Sequence, residues 1–361
     1  MDDLAGWRAV TPPLPSAVFW RGKRVFLTGH TGFKGGWLAL WLHELGAEVA
    51  GYALPPPTTP NLFTVGRVEQ VLKHIEGDIR DLPGLSRAVE NFAPEILFHL
   101  AAQPLVRASY KAPVETFAIN LMGTVNVLAA VSRLAAPCVT MLVTSDKVYE
   151  ENSGRHVESG RLGGGDPYSA SKACAELAAA SFPLPNRHRA ATLRSGNVIG
   201  GGDWAQDRLV ADFMRAMMAG EFLRLRQPGA VRPWQHVLDP LCGYLLAAEF
   251  FCRDLTARTA WNFGPAVTSE VTVAEIAERL CRFWGDSAAF SIEPEPVPLH
   301  EATVLRLDSA KAREELGWRP RFELDEALLR TVEWFRAFGK GNDMRQESVA
   351  QIAVYAAVAA A

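Results

Sequence analysis

The sequence predicts an α/β fold: a doubly wound parallel sheet followed by a smaller C-terminal α/β unit. Three observations carry that prediction. From residue 23 short β-rich runs alternate with helical stretches, the pattern of a parallel sheet covered on both faces. A glycine-rich turn, Gly29-His-Thr-Gly32-Phe-Lys-Gly35, stands between the first strand and the first helix. After about residue 200 the rhythm breaks into shorter pieces punctuated by Gly and Pro (GGGDW, QPGAVRP, EPEPVP).

The elements follow in order. Residues 1–20 form an acidic, then Pro-rich extension without the basic-then-apolar order of a signal peptide. KRVFLTG is the first strand. GGWLALWLHELG, residues 35–46, repeats apolar residues at helical spacing and closes on Gly46. AEVAGYAL is the second strand, and VLKHIEGDI, EILFHLAA, CVTMLVTS and RAATLRSGNV supply more. Helical patterns near 83–92, 114–134 and 167–182 separate several of them. The division expected is a dinucleotide-binding domain over 21–199 and a second domain mainly over 200–339, with some segments returning to the first. Residues 340–361 are a tail whose Ala-rich end reads as a short helix or a frayed one.

Composition narrows the classes. The 361 residues are 48 % hydrophobic, enough for a large core, and the net charge of −3 argues against a broad nucleic-acid-binding surface. No stretch near twenty residues is free of polar groups, so no membrane span is expected. The five cysteines (138, 174, 242, 252, 281) lack CxxC spacing and read as free thiols in a reducing cytoplasm, with no metal site. His99 and His236 have no partner spacing that suggests a metal, and read as structural.

The glycine turn is GxxGxxG, a variant of the Rossmann-type dinucleotide fingerprint, in the strand–turn–helix context that the motif needs. Glycines let the backbone turn tightly and approach a pyrophosphate at the helix N-terminus. The second strand ends Gly51-Tyr52-Ala53-Leu54, without the acid that usually holds the adenosine ribose. His30 and Lys34 add potential positive charge favouring phosphate or even NADP, or they are solvent-facing turn residues. Asp78-Ile79 ends the third strand, where the carboxylate meets an adenine amine or merely closes a turn. Further on, Tyr168 and Lys172 share a helix face at i and i+4. A lysine beside a phenol lowers the phenol's pKa from about 10, and such a tyrosine removes a hydroxyl proton while hydride leaves the same carbon.

With TGHTGFKG, GDIRD, HLAAQ, VTSDKVY, YSASK and RSGNVIGGGDW in hand, the chain resembles the extended short-chain dehydrogenase/reductase family from about residue 20 to its C-terminal region. The resemblance sharpens to the nucleotide-sugar 4,6-dehydratases. Among these it is most similar to the members acting on CDP-glucose, through GHTGFKGGWL, GNVIGGGDWAQDRLVADFMRA, RPWQHVLDPLCGYLLAAE and HEATVLRLDSAKAREELGW. It implies tightly used NAD and three steps: oxidation at C4, loss of water across C5 and C6, and return of hydride to C6. It also implies a homodimer or homotetramer joined by a four-helix bundle of the helices near 114–134 and 168–182. The implied cofactor contacts are Gly29, His30, Thr31, Gly32, Phe33, Lys34 and Gly35 in the turn. Asp78, Ile79, Leu100, Ala101, Ala102, Tyr168 and Lys172 complete them.

The same resemblance places Ser145 at the C4 oxygen, Asp146 at the general acid, and Lys147 where most sister dehydratases carry a glutamate base; the CDP-glucose members carry lysine there. A lysine base needs a pKa pulled about 3 units below 10.4, worth about 4 kcal/mol, by burial or by neighbours such as Lys172. Alternatively Lys147 stays charged and stabilises the enolate or hydroxide. Asp146 needs a raised pKa, and the adjacent lysine works against it. Arg232, Arg208 and Arg306 are pyrophosphate candidates, each alternatively a surface ion pair. Asn197 contacts the sugar-diphosphate or is a turn residue. His300 and Glu301 fall near the sugar or cap a helix, and Gln103 and Arg107 border the nicotinamide and sugar. A 4-epimerase, or a dehydratase of another nucleotide sugar, is the alternative; Asp146-Lys147 weighs against the epimerase. A catalytically silent dinucleotide sensor needs neither Tyr168 nor Lys172, and both are present.

Overall fold

The computed structural model describes residues 12–151, 154–253, 258–293, 299–300 and 304–358. Its centre is a seven-stranded sheet of β1 (Arg24–Thr28), β2 (Glu48–Ala53), β3 (Lys73–Glu76), β4 (Ile96–His99), β5 (Val139–Val143), β6 (Arg189–Ser195) and β7 (Arg258–Phe263). The strand order is β7-β6-β5-β4-β1-β2-β3, and every pairing is parallel. The order reverses between β1 and β4, and at such a switch point a crevice opens beyond the carboxyl ends of the strands.

Strand alternation feeds two cores. Val25 and Leu27 of β1, Ile96 and Phe98 of β4, and Met141 and Val143 of β5 enter one cluster. Phe26, Leu97 and Leu142 between them enter the other. On the first face lie α1 (Phe33–Glu44) and helices from the C-terminal half. The second face carries α2 (Leu82–Phe92), α3 (Pro113–Ser132, with a π-helical turn at Ala118–Met122) and α4 (Pro167–Ser181). By length and composition alone α3 is long and apolar enough to cross a membrane, which the sequence reading did not expect; its Val127, Leu128 and Val131 are buried in the second core.

Beyond residue 200 come α5 (Leu209–Met218), α6 (Leu238–Arg253), α7 (Val273–Trp284), α8 (Leu324–Gly339) and α9 (Met344–Ala357). Short strand pairs brace them, among them Val231–Pro233 antiparallel to Glu270–Thr272. Thr272 and Glu275 form a capping box that starts α7. Strand β7 was not foreseen: its buried Trp261, Asn262 and Phe263 follow no polar–apolar alternation. Of the tail, residues 340–358 are described. They hold the 14-residue α9, with Ile352 and Tyr355 buried, and the Tyr355 ring lies 5.6 Å from that of Trp41 in α1.

Candidate active site

A cleft of about 620 Å³ runs along the carboxyl ends of β1, β4, β5 and β6 and under the segments after residue 195. Its first half is a cradle made by the turn before α1. Gly29 has φ +78°, and a Cβ there would stand 2.6 Å from the backbone nitrogen of Ala101; a Cβ on Gly35 would stand 2.2 Å from the Gly29 carbonyl oxygen. Only glycine permits this turn. Gly32 caps α1 without a side-chain hydrogen bond, and the first turn carries no acid, so the helix N-terminus is open to an anion. These features fit a dinucleotide. Thr31, Phe33, Asp78, Ile79, Leu100 and Ala102 also line this half. Beside the end of β2 the lining is Leu54, Pro55, Pro57, Thr58 and Asn61, with no carboxylate.

Two turn residues depart from expectation. His30 is fully buried, does not line the cleft, and pairs its Nε2 with His74 Nδ1 at 2.7 Å. It occupies the space that a side chain on Gly51 would take, and burial lowers its pKa to about 3. A neutral, enclosed imidazole is no phosphate ligand. Lys34 is not a solvent-facing turn residue either: it donates to Ser195 Oγ (2.9 Å), which pairs with Tyr244 OH (2.7 Å). Burial, with Arg208 and Lys172 nearby, pulls its ammonium down to about 7.

Strand β5 delivers the next groups. After Val143 the chain leaves the sheet, and Ser145 caps a short 3-10 turn, Asp146–Val148, by accepting from the Lys147 N–H (3.2 Å). The Ser145 hydroxyl donates to Asp146 Oδ1 (3.1 Å), while Oδ2 is buried with no hydrogen-bond partner. Burial raises the Asp146 pKa and outweighs the opposing pull of Lys147, Ser145, Arg232 and Lys34. Lys147 is half-buried and lines the cleft.

Across from this turn stands α4, started by Asp166, whose carboxylate accepts from the Ser169 N–H (3.0 Å). The Tyr168 phenol lies beside the Ser145 hydroxyl, and Lys172 Nζ donates to the Val143 carbonyl (3.1 Å). Burial pushes the Tyr168 phenol up to about 12 and holds the Lys172 ammonium at about 8. The expected lowering of the phenol is therefore absent from the protein alone, where desolvation of the phenolate dominates.

The far half of the cleft is cationic. Arg232 is buried, Arg208 Nη1 donates to Asp203 Oδ2 (2.8 Å), and Arg107 faces Asp207 (3.7 Å); all three line the cleft with Asn197. Gln103, His300 and Arg306 do not. Gln103 spends its amide on Thr116 Oγ1 (3.0 Å) and the Leu105 N–H (2.6 Å), shaping its own loop. His300 meets Glu151 at 2.9 Å, and Arg306 faces Glu270 at 3.1 Å. Glu301 lies outside the described residues. Sequence reading missed Ser195 and Tyr244; a serine closing an apolar strand was the available signal for the first, and Tyr244, inside an apolar helix, gave none.

Comparison with known proteins completes these findings. Residues 26–331 match the family model described as GDP-mannose 4,6 dehydratase. A CDP-glucose 4,6-dehydratase of Salmonella typhimurium is 45 % identical over 93 % of this chain and 97 % of its own. A UDP-glucose 4-epimerase of Mycolicibacterium smegmatis is 28 % identical over 87 % of this chain and 98 % of its own. Among solved structures, UDP-glucose 4-epimerase of Thermus thermophilus in complex with NAD superposes with a TM-score of 0.71 at 25 % identity, covering 87 % of this chain and 99 % of that one.

Proposed function

Because the chain belongs to the GDP-mannose 4,6 dehydratase family, we infer that it is an NAD-dependent hydro-lyase converting CDP-glucose to its 4-keto-6-deoxy form. One observation carries the reading: Asp146 and Lys147 border the same cleft as Tyr168 and Lys172, with Ser145 bonded to the first pair and lying beside the Tyr168 phenol. An acid and a base beside an alcohol-oxidising pair suit elimination after oxidation. The 45 % identity to the Salmonella enzyme supports the cytidine nucleotide.

The Gly29–Gly35 turn would hold the pyrophosphate of NAD, which would supply the site with hydride transfer, from C4 and back to C6. Tyr168 takes the C4 hydroxyl proton, with Lys172 supplying positive charge and Ser145 orienting the oxygen. The C4 ketone makes the C5 hydrogen acidic, because the resulting carbanion is an enolate. Lys147 removes that hydrogen, and Asp146, whose pKa burial raises, gives its proton to the departing C6 hydroxyl. Arg232, Arg208 and Arg107 hold the sugar-diphosphate with Asn197. Residues 21–199 bind the dinucleotide and 200–339 mainly the nucleotide sugar, with α6 and β7 returning to the sheet.

The protein works as a homodimer, or a tetramer built from it, in the cytoplasm. Val114 and Met122 of α3 and Leu177 of α4 are exposed, which suits a bundle of those helices from two copies. The five cysteines are free, as a reducing compartment favours. The test is incubation with CDP-glucose and NAD followed by alkali, which develops the absorbance of a 4-keto sugar. Absence of product there, with turnover of dTDP- or GDP-glucose or GDP-mannose, overturns the nucleotide assignment.

A further inference from the structure

One turn beyond Lys172, Glu176 has no role in the reaction as proposed. Tyr168, Lys172 and Glu176 fall at i, i+4 and i+8 on α4, so they form a row along one helix face. The row grips the chain where β5 ends. Tyr168 lies beside Ser145, Lys172 holds the Val143 carbonyl, and Thr144 Oγ1 donates to Glu176 Oε1 at 2.5 Å.

Glu176 is in turn locked to Arg194 of β6. Arg194 Nε donates to Oε1 (2.8 Å) and Nη2 to Oε2 (2.7 Å), while Thr192 Oγ1 adds a bond to Oε2 (2.7 Å). The two side chains are 4 % and 5 % exposed. The remaining arm of Arg194 reaches the other end of the same segment: Nη1 donates to Tyr149 OH (2.6 Å), and the guanidinium lies 4.9 Å from the Tyr149 ring centroid. Tyr149 OH then donates to Asn262 Oδ1 of β7 (2.7 Å). One buried ion pair thus holds Thr144 with its acid and Tyr149 with its base, and Ser145, Asp146 and Lys147 lie between.

A buried ion pair is expensive to desolvate, and an apolar pair of equal volume often stabilises a fold as well. A need for stability is therefore weak grounds for keeping this pair. We propose that Glu176 and Arg194 are positioning residues, which hold residues 144–149 in register with Tyr168 and keep a negative charge beside Lys172. This rests on the roles given above to residues 145–147. The charged and titratable groups around Lys172 are Tyr168 and Glu176 on α4, Arg194 on β6, His99 at the end of β4, Lys34 on α1 and Asp146 in the turn. Among them Glu176 is the one whose charge raises the lysine, against burial that holds it at about 8.

The test separates structure from positioning. Glu176→Gln leaves Arg194 buried without a counter-charge, whereas Glu176→Gln with Arg194→Met removes the pair together. Both are compared with wild type, NAD-loaded, by thermal unfolding and by the single-turnover rate of NADH appearance across pH. The double variant recovers thermal stability relative to the single one, but its oxidation rate does not recover. A drop of one unit in the Lys172 pKa takes the lysine at pH 8 from half charged to about a tenth, so the rate there falls about fivefold and its alkaline limb moves about one pH unit down. Thr144→Val, which leaves the ion pair whole, loses up to about tenfold in the same rate. A double variant with wild-type rate and alkaline limb shows a merely structural pair and overturns the proposal, as does a wild-type rate in Thr144→Val. If wild type turns over a different nucleotide sugar, the same comparison is made with that sugar, so failure of the substrate reading is seen separately.

Discussion

Replacing Asp146 with Asn separates oxidation from elimination. The amide keeps the carboxylate's shape, and its oxygen still accepts from Ser145 where Oδ1 does now, at 3.1 Å. C4 oxidation therefore stays within about threefold of wild type, since no charge-dependent contact to Tyr168 is lost beyond a repulsion. What disappears is the proton for the C6 hydroxyl. A positioned general acid contributes about 10²–10⁴ in rate, or roughly 3–5 kcal/mol of barrier. Rapid mixing with CDP-glucose should thus show NADH accumulating at 340 nm, to about one per site, with little 4-keto product after alkali. Stability moves the other way. The folded-state pKa lies above 3.8, so the carboxyl takes up protons on folding and costs stability as pH rises from 3.8 through its folded value. The Asn variant is then more stable than wild type at pH 7, and the difference vanishes below pH 3.8. Turnover above a tenth of the wild-type rate, or no NADH at all, refutes this reasoning.

Four further outcomes are expected. Tyr168→Phe gives no NADH signal even in a single turnover; normal turnover would remove Tyr168 from the oxidation step. Lys147→Ala oxidises C4 but stalls before elimination, and rapid deuterium uptake at C5 from heavy water would show another base at work. Gly35→Ala forces a Cβ to 2.2 Å from the Gly29 carbonyl, so calorimetry should show NAD affinity reduced about tenfold or more; an unchanged Kd would mean the turn is not the cradle. Leu177→Asp, placing a charge at a residue that is 57 % exposed, should halve the mass seen by light scattering if α4 lies in the dimer bundle, and an unchanged mass places the interface elsewhere.

Much of the sheet was legible because β1, β2, β4, β5 and β6 are largely apolar runs bounded by turn residues, and buried parallel strands read that way, whereas β3, Lys73–Glu76, is an exposed edge strand. Strand β7 was not, because its Asn262 breaks the run and the strand finds its place only by pairing with β6 across a long excursion. Motif spacing led to the residues at the strand ends, since the switch point gathers them whatever happens in the loops. Side chains whose partners are remote in sequence were harder. His30 looked like a charge in a turn, yet Gly51, 21 positions on, opens the space that buries it. Gln103, His300 and Arg306 sit in the expected loops, but local acceptors and acids claim them. Arg194 and Glu176 gave one legible sign: a charge inside the apolar run RAATLRS implies a buried partner, though not which one.

The last helix has a consequence in time. Its Tyr355 covers Trp41 on α1, the helix that carries the glycine turn at its head, and Arg321 donates to the backbone carbonyls of both Val358 and Pro12. The cover is synthesised long after the helix it covers. Some 300 residues separate the end of α1 at Glu44 from the start of α9 at Met344. At about 5–20 residues per second that gap lasts roughly 15–60 s. During that interval a nascent chain carries the Trp41 face without its Tyr355 cover, so the packing around the nucleotide-binding half is completed only once α9 has emerged.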